Sequence, residues 1–303
     1  MTNLPSGALP AAEVRIGLPE RATRRSPVRD RDTTLLLFGL VLLAALMMLP
    51  LLWWVSLAFQ DTAGLRAPTS LEKTWIPDGL YLLDNLAQAM RLMSVDRLVV
   101  NSLVVTSAIT VLEVALATLA GYALAHIPFP GRRLVFVGIV ILLSVPQLVL
   151  VIPLFQLIAA LDWVNTYPGL ILPYVVTPFG VFMMHQLLRH IPRSLLEAAR
   201  IDGASELRIF LGIAVPLSRN AMLTLGIFTF FLQFDNLLWP LIAATDEEMH
   251  TLPVGFQAMN TNIATPYNAL FAVTLVVSLP FVLVYLFAQR RIMESFATSG
   301  LRE

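Results

Sequence analysis

Apolar residues in this chain fall in runs too long and too continuous to be one face of an amphipathic element. Six stretches stand out, at approximately Leu35–Phe59, Leu98–Ala125, Leu134–Leu161, Tyr167–Leu188, Ala221–Ala243 and Ala269–Ala288. A bilayer core is roughly 30 Å thick, so a helix rising about 1.5 Å per residue needs about 20 mostly apolar residues to cross it. Every stretch meets that length. None alternates apolar and polar positions as a strand of a membrane barrel must. The pattern predicts an all-α, polytopic membrane protein with six transmembrane helices.

Composition agrees and removes other classes. The hydrophobic share is 57% and the charged share 13%, against about a quarter charged in an ordinary soluble domain. Twenty basic and 20 acidic residues cancel, which leaves no basic field for nucleic acid. Without cysteine there is no disulfide framework, thiolate metal site or cysteine nucleophile, and His126, His185, His190 and His250 lack ligand spacing, so no metal site is expected. The chain also lacks GxxxxGK[ST], HExxH and GxSxG motifs, so neither a nucleotide site nor a catalytic residue is expected.

The positions of the charges set the orientation. Sixteen of the 20 basic residues lie in the N-terminal tail, at Arg132 and Arg133, in residues 189–220 and in the C-terminal tail. By the positive-inside rule both termini and the 189–220 segment are cytoplasmic. Residues 1–32, with Pro5, Pro10, Pro19 and Pro27 among scattered charges, are expected to form a disordered cytoplasmic tail and not a secretory signal. Residues 33–303 then make one membrane domain.

The 189–220 segment is longer than a connection between neighbouring helices requires. It reads IPRSLLEAARIDGASELRIFLGIAVPLSRN from Ile191. Pro192 suits a helix start, Leu195, Leu196 and Ala199 make an apolar stripe, and Gly203 stands where a left-handed residue would end the helix. A second short helix is expected from Ala204 to about Leu211, with Pro216 marking entry into the fifth span. Spacing alone would explain Arg193, Glu197 and Arg200 as solvated i,i+4 and i,i+3 pairs worth a few tenths of a kcal/mol.

Glu197-Ala198-Ala199, followed by Gly203, Ile213, Val215 and Pro216, resembles the EAA loop of the permease subunits of binding-protein-dependent ABC importers, with Val215 where leucine is usual. The string EAARIDGAS is similar to the carbohydrate branch, in particular the second permease of maltose-type systems. Asn101-Ser102, Gly121 to Ala125, Pro146-Gln147, Gly169 to Pro173, Trp239-Pro240-Leu241, Thr251 to Gly255 and Gln289-Arg290-Arg291 agree with that branch in order. The resemblance runs from Leu35 to about Leu301. It implies a type I ABC importer transmembrane fold in a prokaryotic inner or plasma membrane. It also implies a heterodimer with a homologous second permease, two ATPase subunits and an extracytoplasmic solute-binding protein, with a carbohydrate as cargo. ATP and Mg would sit on the ATPase, and no cofactor on this chain. Glu197, Ala198, Ala199, Asp202, Gly203, Ile213 and Pro216 would then couple the permease to that ATPase.

Glu113 and Asp235 are the two carboxylates inside predicted spans, where a charge costs about 2.5 to 3.5 kcal/mol at the helix centre. Asp235 lies in FFLQFDNLLWP, and relatives commonly carry tryptophan-asparagine where this chain has Phe234-Asp235. Gln233, Asp235, Asn236 and Trp239 are candidates for the translocation pathway, although polar residues in a bundle also join helices. For Glu113 a packing or subunit-contact role comes ahead of a substrate role. An ion-coupled secondary transporter or channel using Glu113 and Asp235 is the alternative function, and the absence of an internal repeat weighs against it. Pro146, Pro153, Pro168, Pro173 and Pro178 in the third and fourth spans fit kinks near a pathway.

Overall fold

The longest helix is built on a spacing of small and polar residues within an apolar stretch. In the computed structural model, which describes residues 30–61, 75–77, 79–260 and 266–279 with Val282 and Leu286, Val95–His126 forms one unbroken helix. Preceding it are α1 at Asp30–Phe59 and α2 at Leu82–Leu92, so the 32-residue helix is α3. At 1.5 Å per residue it is about 48 Å long, more than a bilayer core. Leu98, Asn101, Ser102, Val105, Ile109, Glu113, Ala117, Tyr122 and Ala125 are buried along it, a stripe at helical spacing that faces protein.

The chain divides into a unit ending at Leu51 and one starting at Leu52. In the first, every residue of α1 from Thr33 to Leu51 is exposed, although most are leucine, valine or methionine. An apolar helix exposed on all sides suits lipid. The predicted tail, residues 1–32, lies outside the described residues except for the first turn of α1.

In the second unit α3 packs most extensively on α7 (Pro178–Leu188) and then on α9 (Glu206–Phe234). Glycine makes the first of these contacts close: a Cβ at Gly121 would lie 2.8 Å from the His185 backbone nitrogen and 2.8 Å from Met184 Cβ. One apolar cluster joins the ends of α3 and α7 to Leu196, Ile209, Ala214 and Leu225. A second, around Val105, Ile109, Ile158, Leu170 and Trp239, closes the other end. A third seats α2 and the Tyr267–Leu279 helix on the start of α3.

The third predicted span is corrected from one helix to two. Arg132–Leu143 (α4) and Gln147–Ala160 (α5) meet at 105°, because Pro146 is extended at φ −61°, ψ 127° and has no N–H to continue a ladder. Pro153 is tolerated inside α5. The fourth span is also broken. Tyr167–Ile171 (α6) and a 3₁₀ turn at Leu172–Tyr174 meet α7 at 43°. Its prolines start helices: Pro168 and Pro178 fall in first turns capped by the Thr166 and Thr177 hydroxyls, which accept from the amides of Gly169 and Gly180.

The fifth span is corrected at both ends. No short helix ends near Leu211 and no break occurs at Pro216; α9 runs from Glu206 to Phe234. Before the proline the chain widens into a π segment at Phe210–Ala214, where the Val215 amide donates to Phe210 O, so that a residue without an N–H can follow inside a helix. At the far end α9 stops at Asp235, and Leu238–Ala243 (α10) is separate. Among the described residues three helices are long and apolar enough to cross a membrane, or five if each bent pair is one crossing. The sixth predicted span is described as helix over Tyr267–Leu279, and most of the remainder lies outside the described residues.

Candidate functional site

Two places gather the residues singled out by the sequence. The first is the 189–220 segment. Pro192 precedes a nine-residue helix, α8, at Arg193–Ile201. Leu196 is buried against the cluster at the ends of α3 and α7 and seats the helix. Glu197, Ala198 and Asp202 are exposed, and Ile201 is 86% exposed, unusual for an isoleucine. The helix ends as predicted. Gly203 has φ +80°, and its amide donates to Arg200 O at 3.0 Å while the Ala204 amide donates to Ala199 O at 3.0 Å. This is the paired bonding of a Schellman ending, in which a residue with a Cβ is strained. No atom lies within 4 Å of where that Cβ would be, so the backbone alone demands glycine. Ile213 packs on the cluster and Pro216 is exposed on α9, away from the α8 tip in sequence but on the helix that α8 leads into.

Arg200 pairs with Glu206 and not with Glu197. Arg200 Nε donates to Glu206 Oε1 at 2.6 Å, and Nη2 to Oε2 at 3.4 Å. The same carboxylate accepts from Tyr122 Oη at 3.1 Å. Tyr122 is 1% exposed and packs its ring on Phe210. A single carboxylate at the start of α9 therefore ties α8 to α3. Nothing local in the sequence marks Glu206, because its partners are six and 84 residues away.

The second place is a cavity of about 360 Å³. Each break described above contributes to its wall. Gln147 comes from the α4–α5 break, Tyr174 and Thr177 from the break before α7, and Asp235, Asn236 and Leu237 from the break between α9 and α10. Irregular backbone at membrane depth is tolerated where it is buried in protein or lines a water-filled space, and three interruptions at one cavity meet that condition. Of the predicted pathway residues, Gln233, Asp235 and Asn236 line it. Asn236 is fixed: its Nδ2 donates to Gln233 Oε1 at 3.2 Å and its Oδ1 accepts from the Trp239 amide at 3.4 Å. Trp239 is 1% exposed and donates from Nε1 to Gly169 O at 3.2 Å, so it backs the wall without forming its surface.

Glu113 reaches the same cavity from α3 and is 2% exposed. Thr177 Oγ1 donates to its Oε1, and Thr229 Oγ1 donates to Oε2 at 2.8 Å. A Cβ at Gly180, in the first turn of α7, would lie 2.7 Å from Glu113 Oε1, so glycine lets the carboxylate sit at the positive end of that helix. Two hydroxyl donors and a helix N-terminus explain how a carboxylate is held among apolar spans. Nothing in the local sequence around Thr177 or Thr229 announces this clasp, which joins α3, α7 and α9.

A helical bundle with lipid-suited apolar helices, interrupted spans around a polar cavity and an exposed helix–glycine turn at one end is a membrane transport component. The chain belongs to the binding-protein-dependent transport system inner membrane component family, whose model matches residues 114–295. It is 35% identical over 202 residues to the arabinooligosaccharides transport system permease AraQ of Halalkalibacterium halodurans, covering 67% of this chain and 72% of that protein. To the diacetylchitobiose uptake permease NgcG of Streptomyces coelicolor it is 32% identical, covering 87% of each. To the trehalose/maltose permease MalG of Thermococcus litoralis it is 30% identical, covering 88% of this chain and 96% of that one. The fold matches a chain in the crystal structure of a bacterial ABC transporter involved in the import of the acidic polysaccharide alginate, with TM-score 0.76, 18% identity and coverage of 86% and 96%.

Proposed function

We propose that this chain is the transmembrane permease subunit of an ATP-driven carbohydrate importer. It spans a prokaryotic plasma membrane with six helices and both termini in the cytoplasm. It forms the translocation pathway with a homologous second permease. An extracytoplasmic solute-binding protein delivers the sugar, and two ATPase subunits that bind ATP and Mg drive the cycle. This chain itself carries out no chemistry.

The observation that carries this reading is α8. Its buried Leu196 anchors it while Glu197, Ala198 and Ile201 face outward beside the Gly203 turn. A rigid knob with an apolar tip and a flanking carboxylate suits insertion into a cleft on an ATPase, and the Arg200–Glu206–Tyr122 tie suits passing its displacement to α3. Glu197, Ala198, Ala199, Asp202, Gly203, Ile213 and Pro216 are the coupling residues in this proposal, and the wall that includes Gln233, Asp235 and Asn236, backed by Trp239, is the pathway. The test is purification of the complex through a tag on this chain, followed by ATPase assays with the binding protein and a panel of sugars. A co-purifying ATPase stimulated by sugar-loaded binding protein is expected. Purification without any ATPase, or uptake that survives ATP depletion and collapses with an ion gradient, would overturn the reading.

A further inference from the structure

The cavity at the three helix breaks has a chemical bias that the proposed function leaves open. Among the described residues its wall includes two carboxylates, Glu113 and Asp235, and no lysine, arginine or histidine. Glu113 is already satisfied by Thr177 and Thr229, and Asn236 by Gln233 and the Trp239 amide. Asp235 and Gln147 are different. Both are exposed in the cavity wall, and neither side chain has a hydrogen-bond partner among the described residues. A carboxylate accepts bonds from neighbouring hydroxyls, and a primary amide both donates and accepts. The Phe179 and Phe228 rings, 5.1 Å apart, supply an apolar face in the same wall. Acceptors, an amide and aromatic faces together suit a hydroxyl-rich ring with apolar C–H faces. At about 360 Å³ the space is near the low end of the roughly 300–1,000 Å³ range of small-molecule sites.

Charge decides between classes of such ligand. The N-termini of α5 at Gln147 and of α7 beside Glu113 each contribute about half a positive charge at most, which together do not cancel two carboxylates. The wall is therefore negative, and in a cavity bounded by low-dielectric helices that field is poorly screened. A phosphate or uronate would meet it without a counter-ion from the described residues of the wall. We propose that this permease directly holds one neutral sugar or polyol unit in the cavity, with Asp235 and Gln147 bonding its hydroxyls, and that the same wall excludes anionic sugars. The inference rests on the importer reading above and adds the ligand class and the residues that select it.

The test separates the two. Calorimetry on the assembled complex of both permeases and the ATPases, without the binding protein, measures sugar binding to the transmembrane subunits, and the Asp235 variants assign it to this cavity. The probes are maltose, trehalose, diacetylchitobiose, sn-glycerol 3-phosphate and glucuronate. At least one neutral probe is expected to bind and neither anion to bind. Asp235→Ala is expected to weaken the neutral sugar about tenfold or more, as loss of a bond to a charged acceptor does. Asp235→Asn, which keeps an acceptor oxygen and guards against a folding defect, is expected to weaken it less. Anions binding as well as neutral sugars, no neutral probe binding, or an unchanged Kd in Asp235→Ala would each overturn the inference. ATP-driven uptake into proteoliposomes with the binding protein is run alongside. Neutral-sugar uptake without cavity binding defeats only this inference, whereas absence of ATP-driven uptake for every probe defeats the importer reading.

Discussion

Glu113 tests whether a buried charge in this protein is there to join helices. Each of its oxygens accepts from a hydroxyl on a different helix, Thr177 before α7 and Thr229 on α9. Hydrogen bonds between membrane helices contribute about 0.6 kcal/mol on average and up to about 1.7, and an ionised acceptor moves them toward the upper figure. Losing both should cost about 1 to 3 kcal/mol. The positive end of α7 adds about 0.3 to 1 kcal/mol that depends on the charge. Glu113→Leu should therefore destabilise the complex by about 2 to 4 kcal/mol. Glu113→Gln, which can still accept from one threonine and donate to the other, should cost about 1 kcal/mol. Thr229 is the cleaner partner for a double-mutant cycle, because Thr177 also caps α7 through Gly180. Denaturant midpoints of the purified complex should give a coupling of about 1 kcal/mol between Glu113→Leu and Thr229→Val. A coupling indistinguishable from zero would refute the clasp. So would a Glu113→Gln variant that keeps wild-type stability yet loses uptake, the signature of a carboxylate needed for proton transfer.

Three other outcomes follow from the geometry. Gly203→Ala places a Cβ at φ +80°, a strain of about 1 to 2 kcal/mol with no atom within 4 Å of that Cβ; the complex should assemble while binding-protein-stimulated ATPase activity falls. Gly121→Ala drives a Cβ into the Met184 and His185 backbone, so α3 and α7 must separate, and thermal unfolding should show a loss of about 1 to 3 kcal/mol. Glu206→Ala removes an exposed ion pair worth at most about 1 kcal/mol and leaves the Tyr122 hydroxyl without its carboxylate partner, at a cost of about 1 to 3 kcal/mol. Adding Tyr122→Phe should recover most of that stability without restoring the ratio of sugar transported to ATP hydrolysed.

The parts of the fold legible in the sequence are those set by local physics. A stretch such as Val95–His126 is apolar over its whole length and has only one place to go, and its buried stripe follows the helical period. The end of α8 was equally readable, since glycine after Asp202 leaves a left-handed ending as the natural continuation. The breaks were not. Pro146 and Pro153 lie in the same apolar stretch, yet the first ends a helix and the second sits within one. Proline frees a carbonyl wherever it occurs, and whether the helix bends or stops depends on which neighbours satisfy that group. The same holds for Pro216, where a π segment absorbs what the sequence alone reads as a boundary.

That dependence on neighbours is also why the cavity was only half visible. Asp235 and Glu113 each stand as isolated polarity in an apolar stretch, but one-dimensional spacing does not place both in one wall. Each stands where a broken or capped helix end exposes polar backbone: Asp235 at the end of α9, Glu113 against the first turn of α7. A helix interrupted in a membrane leaves amide and carbonyl groups that need partners, and a bundle gains least by scattering such groups through lipid-facing surfaces. Collecting three interruptions around one space lets the same water or ligand serve all of them. The prolines, the two carboxylates and Gln147 are then one feature, and a substitution that straightens any one break should narrow the cavity formed by the other two.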